Sequence, residues 1–125
     1  MRLAALMAMS DTHRVSRPLA TRVRPGAFQV ALSGDIDLMS SGRLTLIAQD
    51  FLQSDHASAE VDLHGVTFID STGLLLLVRL HRTALVRGGK VTLLQPSGVC
   101  LLALESVAFD KVFDIQLQGT SASGT

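Results

Sequence analysis

At 125 residues, 47% of them apolar, the chain has room for one domain with a genuine core and not for two. Formal charge is zero, which argues against the non-specific DNA or RNA binding that an excess of Lys and Arg drives. The lone cysteine, Cys100, rules out an internal disulfide, and no C-x-x-C pair exists for zinc.

Trp and Tyr are absent, so the core must be aliphatic. Charge is unevenly spread: Arg2, Arg14, Arg17, Arg22 and Arg24 face only Asp11 over residues 1–24, while seven acids face only Arg43 between Asp35 and Asp70. That middle block is either a solvated face or a surface for a basic partner. No apolar run reaches the roughly 18 residues of a membrane span. The opening MRLAALMAM is too short, and too poor in a cleavage site, for a signal peptide. A cytoplasmic protein is expected, with translation starting at Met1, Met7 or Met9.

Residues 1–16 carry no steady period and read as an arm ahead of a domain over 17–117, with 118–125 as a polar tail. Leu19 to Val23 can pair, across the Pro25-Gly26 turn, with AFQVALSG, where Phe28, Val30 and Leu32 alternate with Ala27, Gln29 and Ala31. Asp37 or Ser40 then caps a helix with Leu44, Ile47, Ala48 and Phe51 on one face. AEVDLHG is a second alternating strand, and a helix over about Thr72 to Val86 stops at Gly88-Gly89. KVTLL is the next strand, Pro96-Ser97 opens a helix over about Val99 to Val107, and KVFDIQL closes the domain as a short strand. Strands alternating with helices predict an α/β layer whose strands are largely parallel. In such a sheet the strand-to-helix loops share the carboxyl edge, so Asp35 and Asp37, Asp70-Ser71-Thr72, and Pro96-Ser97 should lie together.

The stretch FIDSTGLLLLV sets an acid, two hydroxyls and a glycine against four leucines. As a helix cap it is ordinary, since Asp70 can accept from the first free N–H groups and suits the helix dipole. As a catalytic element it is weak: a nucleophile elbow needs glycine two places before Ser71, where Ile69 stands. No spacing ties His64 or His81 to Ser71, and the GGK at 88–90 lacks the earlier glycine of a phosphate loop. At about 100° per residue, Leu74, Leu77, Val78, Ala84 and Leu85 should face the sheet. Leu75, Leu76 and Val86 should point outward with Arg79, Arg82 and Arg87, leaving either an exposed docking patch or a surface covered by the N-terminal arm or a loop.

ALSGDIDLMSSGRL followed by VDLHGVTFIDSTGLLLLVRLHRTALVRGGKVTLLQPSGVCLLALESVAFDKVFDI resembles the STAS domain of anti-sigma factor antagonists, over roughly Leu19 to Leu117. The resemblance implies a small, mixed, mostly parallel sheet with helices mainly on one side. It implies that Ser71 is the serine phosphorylated by a partner serine kinase, which is also the anti-sigma factor. The unphosphorylated form binds that kinase and releases the sigma factor, phosphorylation ends binding, and a serine phosphatase resets the switch. The contact set expected from it is Asp35, Asp37, Asp70, Ser71, Thr72, Gly73, Leu75, Leu76 and Arg79, with Gly73 leaving the kinase room at the hydroxyl. No catalytic residue, cofactor or metal is implied in this chain, nor direct nucleic-acid binding, and a weak homodimer is compatible with it. Leu75 departs from the second glycine that many relatives carry. Other members of the wider family act without phosphorylation, as scaffolds in lipid-transporter or stress-sensing assemblies.

Overall fold

A computed structural model of the chain describes residues 26–117. The expected strand over Leu19–Val23, the arm and the polar tail lie outside the described residues. Within them the order is β1 (Ala27–Ile36), a 3-10 turn (Leu38–Ser40), α1 (Ser41–Gln53), β2 (Ser58–Ile69), α2 (Ser71–Val86), β3 (Val91–Leu94), α3 (Gly98–Ser106), a second 3-10 turn (Phe109–Lys111) and β4 (Asp114–Gln116). The strands form one parallel sheet in the order β1-β2-β3-β4. Right-handed crossovers between successive neighbours in that order put every helix on the same face. That face carries the aliphatic row Val30, Val61, Leu93 and Ile115, paired in register across the sheet. On it pack Leu44, Ile47 and Phe51 of α1, Leu77, Leu80 and Ala84 of α2, and Cys100 and Leu104 of α3. Each fully buried aliphatic side chain contributes about 1.5–3 kcal/mol relative to exposure, and Phe28 stacks on Phe51 with centroids 5.1 Å apart.

β2 runs well beyond the alternation that the sequence displays. Ala31 pairs with Asp62 but Ser33 with Gly65, and Gly34 pairs with Val66 but Asp35 with Phe68, so β2 bulges twice against β1. Each bulge shifts the inward parity of β2, from Val61 and Leu63 to Val66 and then Ile69. A strict period of two therefore ends at Leu63, and the second half of the strand does not read as one.

α2 is turned relative to expectation. Its buried positions are Gly73, Leu76, Leu77, Leu80 and Ala84, whereas Leu85 is exposed. The cause is α1, which packs alongside α2 and extends the buried sector toward Leu76. Arg87 is not on the wet side either. Its guanidinium turns over the Phe51 ring, 5.5 Å from the centroid, and donates to the carbonyls of Phe51 and His56 at 3.2 and 2.7 Å and to that of Leu52. These carbonyls lie at the end of α1 and in its exit loop, so one side chain closes one helix from the end of another. The expected stop at Gly88-Gly89 is present. Gly89 N–H donates to Ala84 and Gly88 N–H to Leu85, with Gly88 at φ +78°. The last strand is shorter than KVFDIQL, because Phe109–Lys111 winds into a 3-10 turn and Phe113 enters the core.

Candidate functional site

Two strand ends and two loops build the site. The Asp70 N–H donates to the Ile36 carbonyl at 3.1 Å, which holds the start of α2 against the end of β1. Asp70 then caps α2, its Oδ1 accepting from the Thr72 N–H at 2.8 Å. Asp37 does the same for the neighbouring 3-10 turn, accepting from the Met39 N–H at 3.0 Å. Ser40 Oγ ties that turn back by donating to the Asp35 carbonyl at 3.1 Å. Asp35 in turn accepts from the Thr67 hydroxyl at 2.6 Å. The three acids therefore serve as loop anchors, and all three converge on one edge of the sheet.

Ser71, the first residue of α2, lies in the open. Its hydroxyl makes no hydrogen bond to any described residue. An anion on that oxygen would face the free N–H groups and positive end of the helix dipole. One turn on, along the same stripe, Leu75 is 56% exposed, and Arg79 follows a turn later, exposed as well.

Leu76, expected outside and in contact with a partner, is 1% exposed and belongs to the core, so it cannot form part of a surface. Gly73 also faces inward. A Cβ there would stand 2.7 Å from both Ile36 Cγ2 and Ile69 Cγ1, so the missing side chain lets the helix close onto the strand ends rather than opening the hydroxyl to a visitor. Pro96-Ser97 leaves the same edge further back, with Ser97 Oγ donating to Val66 at 2.6 Å and accepting from the Cys100 N–H at 3.3 Å as the cap of α3. The sequence reading missed Leu38 and Met39, which stand on the capped turn at 71% and 92% exposure. Their signal was present: two large apolar residues in a short loop directly after two acids. Phe68, next to the last residue of β2, adds another exposed apolar group.

The family model described as "Mlab, STAS domain" matches residues 19–118, most of the chain. The protein belongs to the STAS domain family. Solved structures agree in fold. The chain superposes on an anti-sigma factor antagonist from Mycobacterium paratuberculosis with a TM-score of 0.67, at 20% identity over 75% of this chain and 80% of that one. For the anti-sigma factor antagonist SpoIIAA in its unphosphorylated form the score is 0.65, at 16% identity over 80% and 89%. An anti-sigma-factor antagonist (STAS) domain protein from Planctomyces limnophilus gives 0.57, at 22% identity over 75% and 85%. At such identities the likeness is one of fold. No curated protein matches the sequence significantly.

Other reactive groups of this STAS domain are occupied elsewhere. Cys100 is buried in α3, and burial pushes its thiol up to about 11, far from the thiolate a nucleophile needs. His81 sets its ring edge against Phe113, centroids 5.4 Å apart. No group of three or more metal-ligating side chains exists among the described residues.

Proposed function

We propose that this STAS domain is an anti-sigma factor antagonist switched by phosphorylation of Ser71. One observation carries the reading: a hydroxyl in the open, without a partner among the described residues, at the start of a helix and beside exposed apolar side chains. The solved STAS neighbours support it, being named as anti-sigma factor antagonists, one of them in its unphosphorylated form. The partner is an anti-sigma factor that is also a serine kinase. It seats on Asp35, Asp37, Asp70, Thr72, Leu75 and Arg79, with Leu38, Met39 and Phe68 as apolar contacts.

The γ-phosphoryl group of ATP passes to Ser71 Oγ, ADP leaves, and the hydroxyl proton goes to a base on the kinase. The product carries about −1.5 to −2 charge next to Asp70, in an interface shaped for a neutral group. Mismatched charge of that kind costs several kcal/mol, and each 1.4 kcal/mol is about tenfold in affinity. Binding is lost by about a hundredfold or more, and a phosphatase restores it. The chain acts by binding rather than catalysis, in the cytoplasm; no helix among the described residues is long and apolar enough to cross a membrane.

Incubation with a purified cognate kinase and ATP should add one phosphate to the wild-type chain and none to Ser71→Ala, read by intact mass and peptide mapping. A phosphate found on Thr72 instead, or none from a kinase that binds, ends the switch. It leaves the second reading, a phosphorylation-independent scaffold, which is favoured by the "Mlab" description of the matching family and by Leu75 in place of glycine.

A further inference from the structure

The first of the two bulges in β2 lies beside a hollow in the sheet. Ala31 pairs with Asp62 and Ser33 with Gly65, so Leu32 alone stands opposite both Leu63 and His64. The ladder is interrupted there. A hollow of about 280 Å³ lies against the interruption, with Asp62, His64, Ser33 and Gln95 as its polar wall and Ala31, Leu32 and Gly65 as its apolar one. Asp62 is the buried acid of the set, 8% exposed. Its Oδ1 accepts from the His64 N–H at 2.9 Å, and among the described residues it makes no other hydrogen bond or ion pair. Oδ2 is therefore an acceptor without a donor, and a carboxylate kept from water in that state is costly until a donor arrives. No Lys or Arg lines the hollow. The His64 ring, the Ser33 hydroxyl and the Gln95 side-chain amide are likewise uncommitted among the described residues.

We propose that this hollow binds a small organic cation, with a guanidinium or ammonium head on Asp62. Charge sets the sign of the ligand, since one carboxylate and no basic side chain favour a cation and repel an anion. The donor set selects an organic cation over a metal ion. No group of three or more metal-ligating side chains occurs among the described residues, and Asp62 with His64 would leave most of an ion's coordination sphere to water. A guanidinium brings several N–H donors in one plane, enough for Oδ2 and for the Ser33 or Gln95 oxygen together. The apolar wall suits a short alkyl stem behind that head. None of the residues around Ser71 lines the hollow, so this inference stands apart from the phosphorylation switch.

Butylguanidinium and its neutral isostere butylurea, titrated into the isotope-labelled full chain and followed by amide NMR shifts, test this. The cation should saturate with a Kd of about 1 mM or below, and it should move the amides of His64, Gly65 and Gln95 most. Butylurea should bind about tenfold more weakly or worse. Asp62→Asn keeps an acceptor for the His64 N–H but sets an amide donor where the unused oxygen was, so its affinity for the cation should fall about tenfold. Where that variant shifts amides throughout the domain, the comparison of the two ligands on the wild type decides. The proposal is overturned by an absence of saturation up to about 10 mM, by butylurea binding as tightly as the cation, or by undiminished binding to a folded Asp62→Asn. Shifts centred on Asp35, Asp37 and Asp70 overturn it too, since the cation would then be reading acids at the sheet edge. So does tighter binding of the blocked peptide acetyl-Gly-Arg-Gly-amide than of butylguanidinium, which would assign the hollow to a basic side chain of another protein.

Discussion

The two ends of α2 are held in opposite ways. At the carboxyl end a glycine pair closes the last carbonyls, and Arg87 reaches across to carbonyls at the end of α1 and in the loop beyond it. At the amino end one aspartate caps the helix, a buried glycine lets it press on two isoleucines, and the Ser71 hydroxyl bonds to none of the described residues. The far end is anchored to the fold through other elements. The near end is positioned by it but contributes little beyond Asp70 and Gly73. A helix fastened in this way can change the charge at its free end without loosening its seat, which is the mechanical condition for a switch.

Substitution at the anchored end should cost most. A Cβ at Gly89 would stand 2.1 Å from the Ala57 carbonyl oxygen, a backbone atom that cannot swing aside. Gly89→Ala should therefore lose about 3 kcal/mol in urea denaturation; a loss below about 0.5 kcal/mol would mean that the loop before β2 yields freely. Arg87→Lys comes next, at about 1–2 kcal/mol, because an ammonium keeps the charge but cannot reach three carbonyls as the planar fork does. Hydrogen exchange at the last turn of α1 should quicken with it. If only α2 responds, Arg87 is not the clamp between the helices.

Gly73→Ala tests the near end's packing. Here the added methyl meets Ile36 Cγ2 and Ile69 Cγ1 at 2.7 Å, branch atoms of two buried side chains rather than backbone. The gain in helix propensity, about 1 kcal/mol, offsets part of the overlap, so a net loss of about 1 kcal/mol is expected. Because the helix start must lift slightly, exchange at the Asp70 N–H should rise more than exchange at Gly88. The reverse order would erase the distinction between the two ends.

How much of this was legible follows from which signals are local. β1, α1 and the glycine stop of α2 rest on period and turn chemistry within a few residues, and Phe28, Val30, Ile47 and Phe51 declared themselves as core. The cap at Asp70 was legible for the same reason. The far half of β2 was not, since two bulges break its period. Nor was the true inner face of α2: a single-helix projection contains no α1, and it sent Leu76 outward and Leu85 inward. Arg87 looked like any surface arginine because its acceptors, at the end of α1 and in the loop beyond it, are distant in sequence. Leu38 and Met39 were hidden by their neighbours, as acids in a loop draw attention away from the apolar pair beside them.

The smallest expected effect carries the most weight. Ser71→Asp places a carboxylate at the first residue of α2, where the helix dipole favours it by about 0.3–1 kcal/mol. Repulsion from the half-buried Asp70 takes back an amount of the same order. Nothing buried is disturbed, because the Ser71 hydroxyl holds no bond that the substitution breaks. The net change in unfolding free energy should lie within about 0.5 kcal/mol of zero, with a slight rise in stability at low salt that fades as salt is added. The urea midpoint at two ionic strengths measures both. A loss above about 2 kcal/mol would mean that the near end is tied into the fold no less firmly than the far end. Phosphorylation there would then act by unfolding the domain rather than by changing what docks on it.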